Sequence, residues 1–373
     1  MSVVGLPTIP TIDRMDLRLS DEQVEFRDAL RQYVAQGLRA TAPTDRSDLL
    51  SWGRTSADLG LAGLCVSTEH GGSGAGIGTA VMVLEELASA LLGSPLISTT
   101  VLAPGLLADP TGRSALGILE ALAGGTVVAV AVAHPGEAGR LEAAEGADGY
   151  WLVSGTIDHV LAGSEAELLL CVTESNGAPG LFVCEGADTG LTREPLVTVD
   201  PSRSQANLAF DQVVAERIVH LDALRPHELA TDLGALALAA DQVGIAQRCL
   251  DISVEYAKTR HQFGQPIGGF QAIKHLCADL LVDVECARSA VMYAGWVADN
   301  EPTALSTAAS VAKACADEAA CRAASACIQI HGAIGYTWEH EAHFLYRRAW
   351  SSSRLFGDAS WHRSRLADGL GLG

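Results

Sequence analysis

From about Pro226 to the C-terminus the chain repeats apolar residues at helical spacing, in long Ala-rich stretches with little to break them. ELATDLGALALAADQVGIAQRCLDISVEYAKTR is followed by FQAIKHLCADLLVDVECARSAVMYAGWVAD and then by TALSTAASVAKACADEAACRAASACIQIHG. Three such stretches and a shorter fourth must bury their apolar faces against one another, and small Ala faces let helices approach closely, so a helical bundle is expected. The segment from about Gly124 to Arg217 has the opposite texture. VVAVAVAH, GYWLVSGTIDHV, ELLLCVT, GLFVCEG, LTREPLVTVD and SQANLAFDQVVA are short apolar runs cut by Gly, Asn, Asp and Pro, which predicts strands of a small antiparallel barrel or sandwich. Helical period also governs the first third. Ser20 and Gln23 form the Ser-x-x-Gln of a capping box ahead of Val24, Phe26, Leu30 and Val34, and Asp21 and Glu22 sit at the positive end of the dipole. A second helix is expected from about Ile77 to Leu91, before Pro95. The expected fold is α+β: a helical domain over residues 1–122, a β-domain over 123–222 and a four-helix bundle over 223–373, packed as one body.

With 48% hydrophobic and 19% charged residues in 373, the chain is too apolar for disorder. Lys+Arg 25 against Asp+Glu 45 gives a net charge of -20, which repels phosphate backbones and anionic lipid heads, so no nucleic-acid partner is expected. Runs such as Val127 to Val132 fall short of the roughly 18 apolar residues of a bilayer span, and the first residues lack a basic start followed by an apolar run. No membrane span or secretion signal is therefore expected. The nine cysteines sit singly in apolar stretches, as Cys171 and Cys277 do, without zinc-site spacing. They are expected to be reduced core residues of a cytoplasmic protein, with no metal site.

Two local motifs carry chemical information. Arg260-His261-Gln262-Phe263-Gly264-Gln265-Pro266-Ile267 stands at the end of one bundle stretch, with Phe270-Gln271 opening the next. Gln329-Ile330-His331-Gly332-Ala333-Ile334-Gly335-Tyr336 closes the third. An Arg at a helix end beside a Gly-containing loop offers a forked donor and free backbone N–H groups, a combination that suits a pyrophosphate, and Gly332 and Gly335 allow a ligand close to the backbone. Taken singly, each motif reads first as an ordinary turn between bundle helices.

In this order, in a helical, β, helical chain, the motifs resemble the acyl-CoA dehydrogenase flavoprotein family, whose pattern is R-x-x-F-G, then F/H-Q, then Q-I-x-G-G-x-G. LGLAGLCVSTEHGGSG and VMVLEELASALLGSPL extend the resemblance to the first third. The resemblance implies FAD bound between two subunits, an acyl-CoA substrate, and electron-transfer flavoprotein as the electron acceptor. It assigns Arg260 to the pyrophosphate of a neighbour's FAD, and Gln262, Phe263, Gln271, Gln329 and Gly332 to its surroundings, with Ala333 replacing a second glycine. The flavin-ring end departs from the pattern. Ala133-His134-Pro135-Gly136-Glu137-Ala138-Gly139 stands where the family has T-E-P-x-A-G-S-D, and His159-Val160-Leu161 where it has W-I-T/S. The family's base, the Glu of Y-E-G-T, is matched by Phe356, and its alternative source on the first bundle helix by Ala235. Asp358 is the candidate displaced base, with a competing assignment as N-cap of the last helix. Heteromeric members, including those acting on sterol side-chain thioesters, pair a catalytic chain with a relative that keeps the ADP clamp and has lost the flavin-ring loop and base. The sequence looks like that combination, with a self-sufficient homodimer using Asp358 and a non-catalytic acyl-CoA-binding relative as alternatives.

Overall fold

The computed structural model describes residues 15–37, 48–92, 95–108, 113–137, 139–146, 150–175, 178–218 and 225–372. Helix α1 (Asp21–Gly37) starts at the expected capping box: the Ser20 amide donates to Gln23 Oε1 at 2.9 Å and the Gln23 amide to Ser20 Oγ at 3.2 Å. Helix α2 (Asp48–Leu59) and α3 (Ile77–Ala88) follow, α3 ending earlier than the apolar pattern suggests because Leu91 takes a positive φ of 57°. A buried π-helical segment, Ile97–Leu102, runs into the short α4 (Ala103–Leu106), and α5 (Arg113–Ala123) completes the first helical part.

The β-part comprises β1 (Val128–Ala131), β2 (Arg140–Glu145), β3 (Trp151–Leu161), β4 (Leu168–Ser175), β5 (Ala178–Glu185), β6 (Leu191–Pro195) and β7 (Gln205–Ile218). The path β4-β2-β3-β7-β5 returns to β4, and β6 adds to β7. Most neighbours are antiparallel, as expected, but β4 has two parallel neighbours: β1, from Val128↔Leu168 to Ala131↔Cys171, and β2, at Glu142↔Glu174. All four β1 residues are buried, and a strand covered on both faces reads as a continuous apolar run that shows its burial but not the direction in which it pairs.

The bundle consists of α6 (Pro226–Thr259), the hairpin β8 (His261–Gln262) and β9 (Gln265–Pro266), then α7 (Gln271–Asn300), α8 (Leu305–His331), α9 (Ala342–Ser352) and α10 (Ala359–Gly369). Helix α6 is long and apolar enough to cross a membrane, but its apolar window is 94% buried inside the protein, where it forms the centre of the core. The cysteines split. Cys171, Cys184, Cys249 and Cys327 are buried, as expected, whereas Cys286 and Cys315 are exposed because α7 and α8 each keep one face outside the core.

A buried ionic cluster ties the three parts together. Arg348 on α9 bonds Asp241 on α6 (Nη2 to Oδ1, 2.5 Å), the Leu92 carbonyl of the first part at 3.0 Å and Ser202 of the β-part at 3.1 Å. Arg203, also from the β-part, lies 2.9 Å from the second Asp241 oxygen. Burial alone would raise the Asp241 carboxyl, yet the two guanidinium groups hold it down at about 2.

Candidate functional site

Both sequence motifs lie at one end of the bundle. The rings of Tyr256, one turn before the end of α6, and His331, the last residue of α8, stack at 4.5 Å, so the segments that follow each helix emerge side by side. Arg260 follows α6 directly. Its backbone pairs with Tyr256 and Ile267, while its exposed guanidinium has no ion-pair partner among the described residues. In a chain of net charge -20 such an uncompensated cation is a ready anion contact.

The β8–β9 hairpin turns through Phe263 and Gly264 with φ of 51° and 79°, the left-handed pair of a type I′ turn. Glycine takes this conformation freely, but phenylalanine is strained in it, and the result is a ring 91% exposed that touches Phe270 edge-on at 6.1 Å. Gln262, Gln271 and Gln329 are likewise exposed. Gly332 ends α8 with φ 63° and ψ −137°, a conformation essentially confined to glycine, and a Cβ there would meet open space. The hairpin and the end of α8 thus present a cation, amide side chains and a bare backbone at one solvent-facing surface. The types of group present fit the ADP half of FAD: a guanidinium for the pyrophosphate and, at the end of the adjacent helix, a backbone free of side chain. The segment after α8 also exposes Ile334, Tyr336 and Trp338.

The loop after β1 and the end of β3 form a second cluster. His134 is buried. Its Nε2 donates to the His159 carbonyl at 3.4 Å, and its Nδ1 accepts the Phe356 amide at 3.3 Å. Burial lowers the His134 pKa, so the neutral ring is the form that makes both bonds. His159 lies at a bulge between Ile157 and Val160 with a positive φ of 54°, and its Nδ1 is 2.8 Å from Glu137 Oε1. Ala138 of this loop lies outside the described residues.

Phe356 and Ala235, which stand where the family resemblance would place a base, are both buried. A Cβ built on Gly234, next to Ala235, would collide with the Phe356 ring, so the ring rests directly on the α6 backbone. Phe356 also stands edge-on to His134, with ring centroids 4.4 Å apart. Its carbonyl accepts from His362 Nε2 at 3.0 Å, and the Gly357 carbonyl accepts from Lys313 Nζ at 3.2 Å. Lys313 is wholly buried and bonds Asp317 Oδ2 at 2.5 Å. Sequence reasoning passed over this pair, although a Lys and an Asp four residues apart inside an Ala-rich stretch are a readable signal. Asp358 is the N-cap of α10: its Oδ1 accepts the Trp361 amide at 2.9 Å, and its other oxygen lies 3.5 Å from Arg354.

Models of the acyl-CoA dehydrogenase N-terminal and C-terminal domains match residues 20–115 and 228–371. The acyl-CoA dehydrogenase IpdE2 of Mycobacterium tuberculosis is 33% identical over 346 residues, covering 90% of this chain and 93% of its own. Among solved structures, a variant of the Tcur3481-Tcur3483 steroid ACAD is 29% identical with a TM-score of 0.83, covering 94% of this chain and 98% of its own. The ChsE4-ChsE5 complex from Mycobacterium tuberculosis is 25% identical with a TM-score of 0.85, covering 96% and 100%. With both terminal domains matched and the same three-part architecture throughout, the chain belongs to the acyl-CoA dehydrogenase family of FAD-dependent oxidoreductases.

Proposed function

We propose that the chain is one subunit of a heteromeric acyl-CoA dehydrogenase, and that it lends the clamp for the ADP half of FAD to a related subunit carrying the flavin-ring site and the base. One observation carries this: the exposed, uncompensated Arg260 and the bare Gly332 backbone at the ends of the adjacent helices α6 and α8, in a chain whose base positions hold Phe356 and Ala235. Arg260 would neutralise pyrophosphate charge, with Gln262, Phe263, Gln271, Gln329 and Gly332 around it. Asp358 is assigned to capping α10, because one of its oxygens holds the Trp361 amide. FAD, when bound, supplies the acceptor for the hydride leaving the substrate β-carbon. The α-proton would be taken, as that hydride leaves, by a carboxylate of the catalytic subunit, for which this chain offers no counterpart at positions 356 or 235.

Two of the similar solved structures, the Tcur3481-Tcur3483 enzyme and the ChsE4-ChsE5 complex, are named as pairs of different chains, which favours a mixed assembly here. The substrate is an acyl-CoA thioester, with electron-transfer flavoprotein as acceptor in the cytoplasm, and the domains divide near residues 122 and 222, the latter outside the described residues. Losing a charge-assisted contact costs about 1.5–3 kcal/mol, so Arg260→Ala in the complex should weaken FAD retention about ten- to a hundredfold. Flavin content after dilution and gel filtration measures this. Unchanged retention would mean that Arg260 does not hold the cofactor.

A further inference from the structure

We infer that Phe356 is a stopper that closes this chain's own acyl cleft, so that the chain lacks the space for a thioester as well as the base. The inference rests on the family reading above only for where the acyl group would lie. A substrate reacting between a base and a flavin needs each reacting pair about 3–3.5 Å apart, which sets the two walls roughly 7 Å apart with the acyl carbons between them. Here the walls touch. His134, from the loop at the flavin-ring position, meets the edge of Phe356, at the base position, with centroids 4.4 Å apart, and a direct bond from the Phe356 amide to His134 Nδ1 joins them. On the other side the ring lies against the α6 backbone at Gly234, where no side chain intervenes.

The stopper is held rather than loosely packed. Phe356 takes φ 56° and Gly357 φ 89°, consecutive left-handed residues that turn the ring inward. His362 fixes the Phe356 carbonyl and Lys313 the Gly357 carbonyl, so α8 and α10 both anchor the segment. Phe356 is 2% exposed. An aromatic side chain strained in φ, seated on a glycine and bonded at both its amide and its carbonyl, fills the volume that a thioester α-carbon would require.

The full chain, purified alone, is titrated with octanoyl-CoA by calorimetry, with CoA lacking the acyl group as control. Wild type should show no saturable binding dependent on the acyl chain up to about 1 mM, whereas Phe356→Ala should bind at least about tenfold more tightly, with one ligand per chain. His134→Ala opens the same gap from the opposite wall and should gain binding in the same direction, and Phe356→Leu provides a milder opening if the alanine variant does not fold. One octanoyl-CoA bound per wild-type chain, or folded variants that bind no better than wild type, would overturn the inference. The subunit proposal fails on a different readout, flavin held by the chain alone, so the two failures are distinguishable.

Discussion

Asp358 shows how one side chain decides between chemistry and architecture. Its Oδ1 completes the first turn of α10, and asparagine caps a helix as well as aspartate does. Asp358→Asn should therefore leave thermal stability within about 0.5 kcal/mol of wild type and leave the single-turnover rate of flavin reduction in the complex unchanged. A lost flavin-reduction signal with intact folding would instead make Asp358 a base. His362 makes a separate prediction. It is buried with Nδ1 beside Ser310 and Nε2 donating to Phe356, and burial, reinforced by nearby Lys313, lowers its pKa to about 4. A pKa below the unfolded value of about 6.5 means that the folded state sheds the proton. The stability His362 contributes is thus complete above about pH 6.5 and is lost as pH falls toward 4, with a slope of at most about 1.4 kcal/mol per pH unit. Denaturant titrations across that range should be flatter for His362→Gln; an identical slope would remove His362 from the explanation. Both capping residues, Ser20 and Asp358, were legible in sequence because a cap is a local pattern of three or four residues. The contact of His134 with Phe356 was not, since 222 residues separate the two and only the closed fold joins them.

Among the elements, α6 organises the site. Its Gly234 admits the Phe356 ring, its Asp241 anchors two arginines, and its end leads into Arg260, the residue proposed to clamp the cofactor. Gly234→Ala would drive a methyl group into the ring and should destabilise by about 1–3 kcal/mol. Gly117→Ala in α5, where a Cβ meets nothing within 4 Å, should instead stabilise by about 0.5–1 kcal/mol, since alanine favours helix. Urea midpoints of the two variants should move in opposite directions, and equal shifts would contradict the contact assigned to Gly234. Helix and strand classes were readable because hydrophobic periodicity is a property of each segment alone. The parallel β1–β4 pairing was hidden because pairing partners are chosen by tertiary closure, although the unbroken apolar run of β1 hinted at burial on both faces.

At the scale of the whole molecule, the Asp241, Arg203 and Arg348 cluster joins the two helical parts and the β-part through fully buried charges. Removing the shared anion leaves two guanidinium groups without compensation, so Asp241→Asn should cost about 3–5 kcal/mol in urea unfolding; a loss below about 1 kcal/mol would mean that the cluster does not hold the parts together. The same scale carries the functional asymmetry. The surface proposed to reach a neighbour's cofactor is exposed and its cation has no ion-pair partner among the described residues, while the interior proposed as this chain's own acyl cleft is filled by Phe356 and His134. The two motifs, with the Arg and the glycines that the clamp proposal uses, were readable in the sequence, but the filling of the interior is a matter of contact and became visible only in three dimensions. FAD content and acyl-CoA oxidation, measured on the chain alone and then co-purified with a catalytic acyl-CoA dehydrogenase subunit, test this asymmetry most directly. Alone, the chain should hold far less than one FAD per subunit and show no turnover, and the mixed assembly should hold flavin and oxidise thioester. A chain that alone binds about one FAD per subunit and turns over at roughly 1 per second or faster would contradict the account.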